Sequence, residues 1–158
     1  MKKIICALLT LLLLCGCQAK VYTPVLNTDF SENAVFQTGD FSYNANVQRA
    51  EGVVTVKVNS TSAAGMVIAY DGSTVTFRQD GMKKSLPADY LDKTNPAVAV
   101  YDVFNYIDTA ADLQCSKTDI GYKYNGTSGI GEFTLIQNAD GSFNTIIFPQ
   151  ADLKIVFQ

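Results

Sequence analysis

The chain has 158 residues, is 47% hydrophobic and 17% charged, carries a formal net charge of −3, and contains no histidine and no tryptophan. Without histidine, Ser-His-Asp and Cys-His nucleophiles and histidine-built zinc sites are excluded within the chain. The acidic balance gives no electrostatic case for binding nucleic acid or anionic lipid headgroups.

The N-terminus reads as a targeting segment. Met1-Lys2-Lys3 is a positive n-region, and residues 4–14 form an apolar run broken only by Thr10. That run is shorter than the roughly 20 residues a spanning helix needs, and it suits a secretory signal. Leu14-Cys15-Gly16-Cys17 closes the run. This sequence resembles the bacterial lipobox, with Cys15 where Ala, Ser or Thr is commoner. The resemblance implies cleavage between Gly16 and Cys17 and a diacylglyceryl group on the Cys17 thiol. A signal peptide would then cover residues 1–16, a lipidated tether residues 17–28, and a single domain residues 29–158. Two acyl chains, palmitate for example, meet the requirement for stable anchoring. The expected location is extracytoplasmic, held to the cell membrane by lipid. Gln18 would permit outer-membrane sorting in a two-membrane cell.

Removing Lys2 and Lys3 leaves ten basic residues against fifteen acidic, a charge of −5. Of the four cysteines, Cys6 and Cys15 leave with the signal and Cys17 is committed to lipid, so Cys115 stands alone and no intramolecular disulfide can form. Only Lys117 is basic near it. Cys115 therefore reads as a structural thiol rather than a nucleophile.

From Phe36 onward the pattern is strand after strand. Phe41, Tyr43, Ala45 and Val47 alternate with Ser42, Asn44 and Asn46, which predicts a strand with one buried face. Gly52 opens a second run with Val54, Val56 and Val58 on one face. Residues 64–70 make a third strand, apolar on both faces. Val75 and Phe77 mark a fourth, and residues 82–86 a fifth, closed by Pro87. Asp71-Gly72 and Asp80-Gly81 predict type I′ hairpin turns, and Asp140-Gly141 a third of the same kind. Residues 27–38 are short of periodicity and carry no predicted element.

The period then changes. Asn95-Pro96 is a helix start, an amide cap followed by proline at the first helical position. Residues 97–111 hold Val100, Tyr101, Phe104, Ile107 and Ala111 at three-and-four spacing. Val98, Val103 and Tyr106 widen the stripe, which predicts a helix buried on more than one side. Strands return at Ile120, Tyr122 and Tyr124, at residues 131–137, at residues 143–148, and at Leu153, Ile155 and Phe157. The expected fold is α+β, mainly β. It is a curved antiparallel sheet of about nine strands, with one main helix inserted after the fifth and packed on the concave face.

The order of lipobox, strand meander, Tyr70-Asp71-Gly72 turn, helix and closing strands resembles the lipoprotein-carrier superfamily of LolA, LolB and LppX-type proteins. Residues 64–75, AGMVIAYDGSTV, and the C-terminal NADGSFNTIIFPQADLKIVF carry the likeness. The resemblance implies a half-barrel over an apolar cavity that binds an acyl chain or another apolar ligand. The N-terminal helix usual in that family has no counterpart here.

Met66, Ile68, Val75, Phe77, Leu86, Phe104 and Ile107 are the candidates for lining such a cavity. The same residues would serve equally as a filled core, because close packing is the default of protein interiors. Tyr122 and Tyr124 as a sugar-stacking surface, and Asp71, Asp80 and Asp140 as calcium ligands, are weaker alternatives to strand propensity and turn chemistry. No catalytic residue, metal or cofactor is expected, and the chain is not expected to be an enzyme. The alternative to a lipid or hydrophobic ligand is an envelope protein partner, docked through the sheet of a domain with a filled core.

Overall fold

The structure, a computed structural model, describes residues 26–158. The expectations for the signal peptide, Cys17 and most of the tether lie outside the described residues.

Among the described residues, eleven strands and one α-helix follow in chain order, with short 3-10 turns at Ala88–Tyr90 and Pro149–Ala151. Strands β1 (Phe30–Thr38), β2 (Phe41–Ala50), β3 (Val53–Val58), β4 (Val67–Tyr70), β5 (Thr74–Gln79) and β6 (Met82–Pro87) precede helix α1 (Pro96–Thr109). Strands β7 (Gln114–Lys117), β8 (Gly121–Thr127), β9 (Glu132–Asn138), β10 (Phe143–Phe148) and β11 (Leu153–Phe157) follow it. All pairings are antiparallel, in the order β6-β5-β4-β3-β2-β1-β11-β10-β9-β8-β7. The first and last strands therefore meet at the centre, with Ala34 opposite Phe157 and Phe36 opposite Ile155. Two meanders fan out from that seam as wings.

The mainly β architecture with one inserted helix agrees with the sequence, but the strand count and helix position do not. There are eleven strands rather than nine, and α1 follows the sixth rather than the fifth. The two unexpected strands are β1 and β7. In β1 the buried row of Phe30, Glu32, Ala34 and Phe36 contains a carboxylate, and Val35 interrupts the polar row. Its alternation is blurred, and pairing on both sides makes it a strand. β7 is four residues long with Cys115 as its only apolar residue, and it exists because β8 offers it an edge.

Turn chemistry also divides more finely than the dipeptides suggest. Asp80 and Gly81 both have positive φ, 50° and 80°, as a type I′ turn requires. Glu51 and Gly52 do the same at 52° and 75°. At Asp71 and Asp140 only the following glycine has positive φ. There the carboxylate instead accepts backbone N–H groups, from Ser73 and Thr74 in one case and Ser142 in the other. These are Asx turns, so the expected type I′ geometry is corrected at both sites.

The helix begins as its sequence dictates. Asn95 Oδ1 accepts from Ala97 N at 3.1 Å and Val98 N at 3.5 Å, with Pro96 in the first turn. It ends at Thr109, two residues short of the expected end. Ala97, Val98, Ala99 and Val100 are all buried. Four consecutive residues cover a full helical turn, so this part of α1 is enclosed on all sides. The helix touches β3 and β4 on one wing and β8 on the other. In a flat sheet β4 and β8 would lie seven strand spacings apart, about 34 Å. A helix roughly 10–12 Å across reaches both only because the sheet curls around it. Among the described residues, no helix is long and apolar enough to cross a membrane.

Candidate functional site

Cross-strand rows decide what the concave face offers. One row runs Leu86, Val75, Tyr70, Val54, Arg49 and Phe30. The next runs Lys84, Phe77, Ile68, Val56, Val47 and Glu32. Helix α1 packs on β3 and β4 at the middle of these rows; toward β5–β6 Val75 stays buried, whereas Phe77 and Leu86 are half-buried and Lys84 is exposed.

The seven candidate residues separate accordingly. Ile68, Val75, Phe104 and Ile107 belong to the packed core between sheet and helix. Phe104 is fully buried, with ring centroids 4.8 Å from both Phe30 and Phe143. Phe157 extends this aromatic cluster. Leu86 is half-buried opposite Val75. Met66 and Phe77 are only partly buried, and they line an open groove of about 490 Å³ at the β5–β6 end. Met82, at the start of β6, completes its apolar surface and is 71% exposed. The sequence reading missed Met82, although an apolar residue directly after a type I′ Asp-Gly turn is the signal that could have found it.

The rim of this groove is cationic. Arg78, Lys83 and Lys84 line it together with Gln79. Its volume falls within the range of small-molecule sites, roughly 300–1,000 Å³.

A second opening, about 390 Å³, lies between α1 and β8–β9 and is walled by Tyr106, Asn125, Thr127 and Glu132. Gly126 permits it, since a Cβ there would meet the Tyr106 ring at 2.5 Å and the Phe133 ring at 2.6 Å. Its polar groups are partly committed to each other, with Thr134 Oγ1 donating to Asn125 Oδ1 at 3.0 Å.

Buried polar groups elsewhere serve the fold. Arg49 is 7% exposed and donates from one terminal nitrogen to Asp108 on α1 at 2.5 Å and from the other to the Thr28 carbonyl at 3.1 Å. It ties β2 to the helix and to the segment before β1. Tyr124 is fully buried and donates to Gln137 Oε1 at 3.0 Å, so its ring is unavailable for stacking on a ligand. Burial raises the Tyr124 phenol above its ordinary range. Burial likewise raises the Cys115 thiol, with a hydrogen bond to Tyr124 opposing it. A raised thiol pKa leaves little thiolate at neutral pH. Glu32 accepts from Phe143 N at 3.5 Å, and burial raises its carboxyl, with Asp140 adding repulsion.

No family model matches the chain, and no curated protein matches it. Among solved structures the chain is similar to a LolA superfamily protein from Nitrosomonas europaea, at 12% identity and a TM-score of 0.41. The match covers 80% of this chain and 66% of that one. At that distance the likeness carries no functional argument.

Proposed function

We propose that the protein is an extracytoplasmic, lipid-anchored, non-enzymatic binding module that takes an acyl chain or another apolar ligand in the groove of Met66, Phe77 and Met82. One observation carries this reading. Helix α1 fills the middle of the concave face, and of the two openings beside it the one at the β5–β6 end is lined by three apolar side chains, Met66, Phe77 and Met82. Leaving Met82 71% exposed beside Met66 and Phe77 forgoes hydrophobic stabilisation that a ligand would recover. The anchor rests on the lipobox at Leu14-Cys15-Gly16-Cys17.

A second reading has its own support. Enclosure of residues 97–100 leaves no wide cavity beneath the helix, which favours an envelope protein that docks a partner through its sheet. The two separate in one experiment. The full chain, extracted gently from cells, is examined by native mass spectrometry for bound fatty acid or phospholipid. The groove reading expects extra mass that Met82→Asp removes without changing the melting temperature. A bare mass with no uptake of added lipid would leave the docking reading.

A further inference from the structure

We propose that the ligand of this groove is an anionic amphiphile, whose chain lies on Met66, Phe77 and Met82 and whose carboxylate or phosphate is held by Lys84. This rests on the groove reading above and specifies the ligand's head.

The charge distribution points to it. The chain as a whole is acidic, with fifteen carboxylates against twelve basic residues. The groove reverses that balance, with three cations, one amide and no carboxylate among its lining residues. Asp80, in the adjoining turn, lines the opposite side of the hairpin with Arg78 and Lys83. Among the described residues, the ion pairs formed are those of Arg49 with Asp29 and Asp108, so Arg78, Lys83 and Lys84 are uncommitted. The net charge of the chain thus misleads about this one place.

Register adds a second observation. Arg78 stands directly opposite Lys83, and Phe77 directly opposite Lys84. Like charges directly opposite each other destabilise a strand pair. That pair lies on the other face of the hairpin, away from the groove's apolar side chains. Strand alternation sends Lys84 to the same face as Phe77, so a cation and an apolar surface share one side of the hairpin. An amphiphile with its head at Lys84 and its chain along Phe77, Met82 and Met66 satisfies both.

Edge protection is the competing explanation, because β6 is the outermost strand and edge lysines discourage pairing with other chains. That task is met by charge of either sign and does not require an apolar groove beside it. Reversing the charge therefore distinguishes the two.

The test uses the full chain in nonionic micelles and isothermal titration calorimetry with ten-carbon probes below their critical micelle concentrations. The probes are decanoate, decyl phosphate, decanol and decyltrimethylammonium, with inorganic phosphate alone as the headgroup control. The expected result is that decanoate and decyl phosphate bind at least about tenfold tighter than decanol. Lys84→Glu should abolish that preference while leaving decanol affinity and the melting curve unchanged, and Lys84→Gln should reduce it. Equal binding of all four probes would overturn the anionic head but leave the groove reading standing. Inorganic phosphate binding as tightly as decyl phosphate would overturn the amphiphile. No binding of any probe would remove the groove reading itself. An unchanged decanoate preference in Lys84→Glu would return the lysines to edge protection.

Discussion

Glu32 shows how one residue can disguise an element and then tune it. Its carboxylate sits in the inward row of β1, between Phe30 and Ala34, and accepts the Phe143 backbone N–H. Burial raises its pKa above the ordinary glutamate value. A carboxyl whose folded pKa lies above its unfolded value costs the folded state stability at neutral pH. That cost fades as pH falls through the folded value toward the unfolded one. Glu32→Gln keeps an oxygen for Phe143 and removes the charge. It should raise the melting temperature at pH 7, by less than about 1 kcal/mol in stability because solvent screens a partly exposed group. Thermal melts from pH 7 to pH 3 should show the advantage shrinking to nothing below the ordinary glutamate range. An advantage that persists at pH 3 would assign the effect to packing.

At the scale of elements, the problem is how α1 is held inside the curl. Apolar burial supplies most of the attraction, and Phe104 sits at the centre of an aromatic cluster with Phe30 and Phe143. The polar tie is Arg49 to Asp108. It is asymmetric, since Arg49 is 7% exposed and Asp108 36%. The Arg49 Nε is buried with no partner among the described residues. Removing the acid strands a buried cation, whereas removing the cation leaves an acid that water can reach. Asp108→Ala should therefore cost about 2 kcal/mol or more, and Arg49→Met should stay within about 1 kcal/mol of the parent. Urea denaturation of both variants checks the order, and equal costs would mean that the pair is a surface contact in energetic terms. The turns belong to this scale too. Asp-Gly was legible as a turn at all three places, but one became type I′ and two became Asx turns. The number of residues between paired strands settles that choice, and pairing is not local.

At the scale of the molecule, β1 and β11 join two wings into one sheet. Contacts there span nearly the whole described chain, as Ala34 with Phe157 illustrates. Deleting residues 153–158 should remove the seam, leave β1 and β10 each with an open edge, and abolish cooperative melting in circular dichroism. A truncated chain that still melts in one sharp step would mean that each wing has a core of its own. Such long-range closure is slow relative to hairpin formation, so the wings should gain structure before the seam does.

Much of this was legible in residues alone. Period-two runs marked nine of the strands, and Asn95-Pro96 with a three-and-four stripe marked the helix, because face and start are written in local spacing. The missing histidines removed whole mechanisms for the same reason. Local spacing did not contain β1, whose buried row includes Glu32, or β7, whose four residues pair only because β8 is there. Nor did it divide Ile68, Val75, Phe104 and Ile107, which the helix covers, from Met66 and Phe77, which it leaves open. All six are apolar at correct strand or helix positions, and the sequence treats them alike. Which of them meets another side chain and which meets solvent depends on how far a sheet curls around one helix. That curl is a sum of contacts between residues distant in the chain, and only the tertiary structure evaluates it.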